Sequence, residues 1–541
     1  MTTLEARLAG STARRAVEPG QARRVARSPA RRAAEPGQAR RVAGSPARRA
    51  AEPAQPRHPL RILWSSAFIL GAICTAFAVI SLRVKANTNP FQDEGLYLYM
   101  GHRMIDHFIS GVNVSEHPGS YFSGAPGLYP VVGAIADAIA GVQGARLVSL
   151  FFVCIVIVGT YGIGNELFGR VSGLFGACAF ALCGSVIFIS HLATLDAMAL
   201  CLMTLGCWLT AYSANHDRLL WAPIVGLILT FAFLTKYAMG VYVPGIAAIG
   251  ILLAWPHIRW GALRRGTLIV AATAAAVFFI LTFWAPDLKR GIVSTTANRI
   301  PLSPAPRPEL IWYVVEWIGL WILLAVLGAL TQKRRWTIAA VLLAMSMIGP
   351  LQQIRIGEGT SLSKHVGYGI VFAAPLIGSL LAWTVTRTKL VGVAIAVAIA
   401  AMMIASGIRN SEQFLTTWVD DREMVAQLRE EIAISPDKAI LGEEPSAQRY
   451  ALRGVTAPEQ WNDTFVLLYG NKVGEAAYRE AIDQTHFGTI YLTLNTVNGR
   501  KINEYLTNFQ TPYRLSKKVP FYRHGQYAGD YLVWTPKVLE R

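Results

Sequence analysis

Long apolar segments separated by short polar loops are the feature that most restricts how this chain can fold. The first, Ile62–Leu82, has 21 residues without a charge, enough for a helix to cross a bilayer core of about 30 Å. Only 16% of all residues are charged, against about 25% in soluble domains. Further apolar runs lie at 147–165, 171–190, 194–212, 219–235, 237–254, 267–285, 311–330, 336–350, 366–384 and 390–408. We therefore predict an α-helical polytopic membrane protein with about 11 spans.

The loop charges predict how these spans are oriented, because basic residues favour the cytoplasmic side. Segment 126–142 is ambiguous, since it is short and contains Asp137. If it does not cross, the basic loops share one side with the Arg-rich N-terminus; these loops contain Arg170, Arg218, Arg264, Arg334 and Arg387. If it crosses, every later loop is reversed. We interpret 126–142 as a peripheral or re-entrant outer helix, with the N-terminus cytoplasmic and the C-terminal region extracytoplasmic.

The N-terminal tail, residues 1–61, carries more than half of the net charge of +18. It contains 14 Arg and four Glu, and residues 11–57 repeat a 17-residue unit (STARRAVEPGQARRVAR, SPARRAAEPGQARRVAG, SPARRAAEPAQPR). Arg pairs with Pro and Gly but little apolar bulk are typical of disorder. Arg pairs could bind nucleic acid or anionic lipid. Because the tail directly precedes a span, we interpret it as a topology anchor in contact with membrane lipids and expect no nucleic-acid partner.

The C-terminal region, residues 409–541, has a soluble-like composition after the membrane domain of residues 62–408. Its pattern predicts strands at 439–441, 465–469 and 489–494 and a terminal hairpin at 513–535. Helices are predicted at 418–434, 447–452, 473–484 and 501–509. Such alternation is typical of a small α/β domain. Its role is left open between acceptor binding, a lid over the site and a structural cap.

The first outer loop, NPFQDEGLYLY, contains the adjacent carboxylates Asp93 and Glu94 directly after the first span. In the predicted topology, other ionisable residues fall on the same outer side, although they were not used to derive it. These are Asp196, Lys236, Arg355, Lys364 and His365. Ionisable groups at membrane depth are unfavourable unless they face a polar cavity or each other, so each is a functional candidate.

Each candidate also has a simpler interpretation. Asp93, Glu94 and Asp196 could cap the N-termini of helices. Lys236 could extend its ammonium group to the interface, and Arg355, Lys364 and His365 could be interfacial anchors. His102, His107 and His117 are predicted to be solvated, and could bind a metal only if the fold brings them together.

The order of these pieces resembles the GT-C glycosyltransferases, in the branch that uses polyprenyl-phosphate sugars. That branch includes protein O-mannosyltransferases and bacterial lipid A aminoarabinose transferases. The resemblance covers residues 60–410 and consists of DEGLYLYMGHRMIDHFISG, APGLYPVVGAIADAIAGVQGARLVSLFF, ELFGRVSGLFGACAFAL, SHLATLDAMALCLMTLGCWL, GLILTFAFLTKYAMGVYVP and SKHVGYGIVFAAPLIGSLLAW. The family often has a basic residue before a Pro-Pro-Leu-Tyr segment, whereas this chain has Ala125-Pro126-Gly127-Leu128-Tyr129.

The resemblance implies transfer of a sugar from a polyprenyl-phosphate donor to an acceptor hydroxyl on a protein, glycan or lipid outside the cytoplasm. A carboxylate can accept the proton of the attacking hydroxyl, and Asp93 is predicted to be this base. Glu94 and Asp196 would orient the acceptor, tune the base or hold a metal. Lys236, Lys364, His365 and Arg355 would bind the donor phosphate. The anomeric carbon inverts if no covalent intermediate forms.

The sequence also leaves open whether the protein needs a divalent cation and whether it is a transporter. A divalent cation is neither required nor excluded, because carboxylates and histidines at this spacing define no metal site. The main competing hypothesis is a transporter or flippase of lipid-linked sugars. Inverted repeats and broken helices at the midplane are common in transporters, and the sequence has neither, which favours the transferase.

Overall fold

A computed structural model of the chain describes residues 66–83, 89–299, 304–465, 467–523 and 525–537. The predicted tail, residues 1–61, lies outside these ranges. The described part of the membrane region is mostly helical. Its helices are α1 Ser66–Arg83, α2 Gln92–Ser110, α3 Tyr129–Phe168, α4 Arg170–Ala181, α5 Gly184–Ser190, α6 Leu195–Asn215, α7 Trp221–Thr235, α8 Val243–Ile258, α9 Gly261–Phe279, α10 Leu288–Thr295, α11 Arg307–Thr331, α12 Trp336–Ile356, α13 Leu362–Thr388 and α14 Leu390–Thr416.

Within the described residues, nine helical segments are long and apolar enough to cross a membrane, and the bent pair α4–α5 (69°) makes ten. The protein is therefore a multi-pass membrane protein. Each of the 11 predicted runs lies mainly on helix where it is described, and the run 171–190 is interrupted at Leu182 and Cys183. The difference in number arises at α7, which has 15 residues and so spans only about 22 Å, less than a bilayer core.

Helix α3 contains most of the ambiguous segment 126–142, from Tyr129 onward, and the following span. The helix is broken at Ala140 (φ −140°) and Gly141 (φ 64°), so its first part points in a different direction from its second. The peripheral position predicted for 126–142 is compatible with this break and stays a prediction.

Helices α13 and α6 form the centre of the bundle, where nearly every residue of α13 from Leu362 to Gly378 is buried. Glycines permit close contact between backbones there. A Cβ on Gly378 would lie 2.0 Å from the Ser172 carbonyl oxygen, and one on Gly328 would lie 2.1 Å from that of Leu376. Small residues at helix contacts compensate for the weak hydrophobic drive between helices in lipid.

The C-terminal domain is built on one mixed sheet, with the predicted strand–helix alternation. Its strands have the order β1-β7-β8-β6-β2-β3, with a separate β4–β5 pair. The elements are β1 Val419–Asp420, α15 Arg422–Ile434, β2 Ala439–Gly442, α16 Ser446–Ala451, β3 Trp461–Asp463, β4 Leu468–Tyr469, β5 Lys472–Val473, α17 Glu475–Asp483, β6 Phe487–Leu492, α18 Val497–Asn508, β7 Tyr513–Arg523 and β8 Gln526–Pro536. Of the predicted strand 465–469, only Leu468–Tyr469 lies on a strand, β4, and β3 lies before the predicted segment.

Both faces of the sheet are buried at the central strands β2 and β6, and the period-2 alternation of a strand decides which residue points to which face. Leu441 and Ile490 pack with α17 and α18 on one face. Their neighbours Ile440 and Tyr491 pack with α15 on the other. Strand β2 pairs in parallel with both β3 and β6, whereas β7 and β8 form an antiparallel hairpin.

The C-terminal domain rests directly on α2, the helix that begins next to Asp93. A Cβ on Gly95 would lie 2.7 Å from the Ser446 carbonyl oxygen and 2.7 Å from the Ala447 Cα. Both contacts are backbone atoms at the start of α16, which cannot move away like a flexible side chain. Gly95 thus permits the close approach of α16 to α2.

Gly95→Ala is expected to lower thermal stability, because overpacking a tight contact destabilises by about 1–3 kcal/mol. The matched control is Gly71→Ala on α1, where a Cβ meets nothing within 4 Å and alanine is the better helix former. Melting temperatures in detergent measure both variants. A G95A protein at least as stable as the parent would contradict this description of the contact.

Candidate active site

Asp93 and Glu94 lie in the first turn of α2, where the local sequence favours a helix start. Pro90 restricts the residue before it to extended conformations, and Phe91 is the N-cap in extended geometry. The Glu94 carboxylate accepts a hydrogen bond from the Phe91 backbone N–H (2.7 Å), which satisfies a donor that the helix leaves unpaired. The two acidic side chains then point to different surroundings.

The Asp93 carboxylate is 35% exposed and pairs with the buried Lys364, whose Nζ donates to Asp93 Oδ2 at 2.6 Å. Lys364 lies in the first turn of α13. Its Nζ also lies 3.8 Å from Asp196 Oδ2. One ammonium group therefore bridges two carboxylates that are far apart in the sequence.

Asp196, in the first turn of α6, has no exposed surface. Its Oδ1 accepts hydrogen bonds from Lys236 Nζ (2.5 Å) and from the Tyr368 hydroxyl. Thr194 donates to its Oδ2 (2.7 Å). The four charged residues Asp93, Lys364, Asp196 and Lys236 thus form one continuous series, here called the acid–lysine chain.

Glu94 faces away from this chain and is completely buried. Arg146 binds it through two nitrogens, with Nε at 2.9 Å from Oε1 and Nη2 at 2.7 Å from Oε2. The Ala193 backbone N–H also donates to Oε1 (2.7 Å). Glu94 therefore ties the segment that carries Asp93 to the loop that leads into Asp196.

His365 is buried beside Lys364 and contacts Gln353 through Nδ1. Gln353 belongs to a polar group that continues through the Ser361 hydroxyl (3.5 Å) to Arg299, whose Nη2 donates to Ser361 Oγ at 3.1 Å. Arg299 also lies 3.6 Å from Glu358. A further cation thus lies near His365, at the edge of the acid–lysine chain.

Of the seven predicted site residues, the structure brings Asp93, Asp196, Lys236 and Lys364 into direct contact. Glu94 and His365 lie beside them. Arg355 does not join them: its side chain is exposed and bonds to Gln352 (3.1 Å). The roles assigned to these residues stay predictions.

Sequence reasoning missed Arg146 and Arg299. Arg146 is the one charged residue in the second part of the apolar stretch APGLYPVVGAIADAIAGVQGARLVSLFF, and an arginine at such a position signals a buried partner. Arg299 lies in a polar loop between two predicted spans, where nothing in the sequence separates it from solvated arginines.

The three histidines of the first outer loop do not converge. His102 pairs with Asp137 (2.6 Å) and His107 bonds to the Val112 carbonyl (2.9 Å). Among residues 66–83, 89–299, 304–465, 467–523 and 525–537, no group of three or more His, Cys, Asp and Glu side chains is arranged to hold a metal ion.

Comparison with known proteins adds two kinds of match. A family model described as dolichyl-phosphate-mannose-protein mannosyltransferase matches residues 128–284, which include Asp196 and Lys236. A search of curated proteins found no match.

Solved structures match over most of the chain. ArnT from Cupriavidus metallidurans, bound to undecaprenyl phosphate, aligns with a TM-score of 0.57 at 15% identity, covering 87% of this chain and 98% of that one. The archaeal oligosaccharyltransferase AglB from Archaeoglobus fulgidus, in complex with an inhibitory peptide and a dolichol-phosphate, aligns with a TM-score of 0.52 at 12% identity, covering 79% and 70%. The chain therefore shares the fold of ArnT and AglB over most of its length. Within that fold, residues 128–284 match the mannosyltransferase family model.

Proposed function

We propose that the protein transfers a sugar from a polyprenyl-phosphate donor to an acceptor hydroxyl on the outer face of the membrane. The observation that carries this proposal is the acid–lysine chain, which combines a partly exposed carboxylate with buried cations at one site. Support for the donor class comes from ArnT and AglB, which were solved with undecaprenyl phosphate and dolichol-phosphate. The acceptor would be a protein, a glycan or a lipid.

Asp93 is the proposed general base. It is the exposed member of the chain (35%), whereas Asp196 is fully buried and bonded on both oxygens. As the acceptor oxygen forms its bond to the anomeric carbon, its proton passes to the Asp93 carboxylate. The bond from that carbon to the phosphate oxygen breaks at the same time, so the configuration inverts.

Cations near the chain are proposed to stabilise the leaving phosphate. Its negative charge grows as the glycosidic bond breaks, and fixed positive charges in a site of low dielectric constant favour that change. Lys364 and Lys236 are buried and already held by carboxylates. Arg299 is proposed to take the place that the sequence assigned to Arg355, because it lies beside the His365 group.

Glu94 is proposed to tune the base by orienting the segment that carries it. The other two roles considered for Glu94 were orienting the acceptor and holding a metal. Both of its oxygens are occupied by bonds to Arg146 and backbone N–H groups. A direct contact with acceptor or metal would have to break one of these bonds.

Asp93→Asn is expected to lower transfer by about 10²–10⁴-fold, with donor binding nearly unchanged. Membranes carrying the protein are incubated with undecaprenyl-phosphate hexoses and pentoses labelled in the sugar, and labelled products are separated from donor. Asp106→Asn, an exposed acid on the same helix, is the matched control. Full activity in the Asp93 variant would exclude Asp93 as the base, and movement of donor across the membrane without transfer would indicate a flippase.

Arg299→Met is expected to weaken binding of undecaprenyl phosphate by about tenfold or more, since a hydrogen bond to a charged group contributes about 1.5–3 kcal/mol. Arg355→Met should leave it unchanged, because that side chain lies outside the group. Native mass spectrometry of the purified protein with added undecaprenyl phosphate measures both. The opposite ranking of the two variants would return the phosphate role to Arg355.

A further inference from the structure

The segment Trp418–Asp421, which follows α14, binds the residues that precede Asp93. The side-chain Nδ2 of Asn89 donates to the Val419 carbonyl oxygen (3.0 Å) and to Asp421 Oδ1 (2.6 Å). The Phe91 ring meets the Trp418 ring edge to face, with centroids 5.3 Å apart. The start of α2 is therefore held by the start of the C-terminal domain.

The same segment also contacts the arginine that binds Glu94. The Arg146 guanidinium lies 4.8 Å from the centre of the Trp418 ring. Its Nη2 donates to the Asn89 carbonyl oxygen (3.1 Å) as well as to Glu94. Arg146 thus connects Trp418, the backbone before Asp93 and the side chain after it. Asn89, Arg146, Trp418 and Asp421 are called the junction clamp below.

All members of the clamp are buried, with exposed fractions of 9% for Asn89, 4% for Arg146, 2% for Trp418 and 3% for Asp421. Burial raises the pKa of Asp421 to about 7, although its bond to Asn89 opposes this. Buried and directional contacts of this kind fix a backbone more firmly than surface contacts do. They act on both sides of Asp93, at residues 89–91 and at Glu94.

We propose that the junction clamp positions Asp93 for the reaction, so that docking of the C-terminal domain sets the geometry of the catalytic carboxylate. This rests on the proposed function. Clamp residues touch no reacting atom in this scheme and act only through the backbone of α2. A displacement of about 1 Å at a reacting group can lower a rate by about 100-fold, so a clamp of this kind has a large effect without any contact with substrate.

Two substitutions at one position test the proposal. Trp418→Leu removes the aromatic face that Arg146 and Phe91 contact, whereas Trp418→Phe keeps one. Trp312→Leu, an exposed tryptophan (64%) on α11, is the matched control. Each variant is purified for hydrogen–deuterium exchange, and assayed in membranes with labelled undecaprenyl-phosphate sugars.

For Trp418→Leu we expect faster exchange confined to residues 89–98, and a kcat reduced by about 10- to 100-fold. The KM for donor should stay within about twofold, because a loss in kcat alone marks an effect on the transition state. Trp418→Phe should keep most of the parent's protection from exchange at residues 89–98 and most of its kcat. Trp312→Leu should match the parent in both.

Unchanged exchange at residues 89–98 in Trp418→Leu would overturn the proposal. Faster exchange throughout the protein, with equal losses of kcat in the Leu and Phe variants, would also overturn it. If the parent transfers no sugar from any donor, the proposed function fails, and the exchange data still decide whether Trp418 holds the start of α2. Faster exchange at residues 89–98 with an unchanged kcat would also overturn the proposal, because the clamp would then be structural only.

Discussion

The buried Asp196 carboxylate imposes the constraint on which the rest of the site depends. A carboxylate without solvent is strongly unfavourable unless charged and polar groups surround it. Asp196 obtains these from Lys236, which follows α7, and from Tyr368 and Lys364 on α13. Removing one partner of a buried ion pair typically destabilises by about 3–5 kcal/mol. Helices α6, α7 and α13 are therefore held in one arrangement by electrostatics as well as by packing.

Lys364 extends this constraint to α2, because it also pairs with Asp93. On the opposite side of α2, Glu94 binds Arg146 of α3 and the Ala193 backbone N–H. Two neighbouring acids thus fix one helical turn from two directions. Asp93 keeps part of its carboxylate exposed, while every other acid in the group is buried. The packing of the bundle therefore leaves one carboxylate partly exposed beside acids that are buried and paired.

The sequence predicted the helices well because long apolar runs leave the backbone no other way to satisfy its hydrogen bonds in lipid. Short apolar and β-branched runs bounded by turn residues located β2, β6 and the terminal hairpin of the C-terminal domain. Loop charges also grouped Asp93, Asp196, Lys236 and Lys364 on one side. Their pairing was beyond such reasoning, since Asp93 and Lys364 are 271 positions apart. Arg299 was missed and Arg355 favoured because both lie near polar loops, and only tertiary contacts distinguish them.

The contacts of the C-terminal domain bear on one of the roles left open for it, that of a lid over the site. Beyond the junction clamp, Arg449 pairs with Glu116 (2.6 Å), the Tyr450 hydroxyl bonds to Asp137, and α16 meets Gly95 at backbone distance. A lid that opened as a rigid body would have to break these contacts together with those of the buried junction clamp. Trp418 also follows the end of α14 by two residues, which leaves little chain for a hinge. These contacts favour a C-terminal domain that stays docked on α2 and α3 over one that opens as a lid.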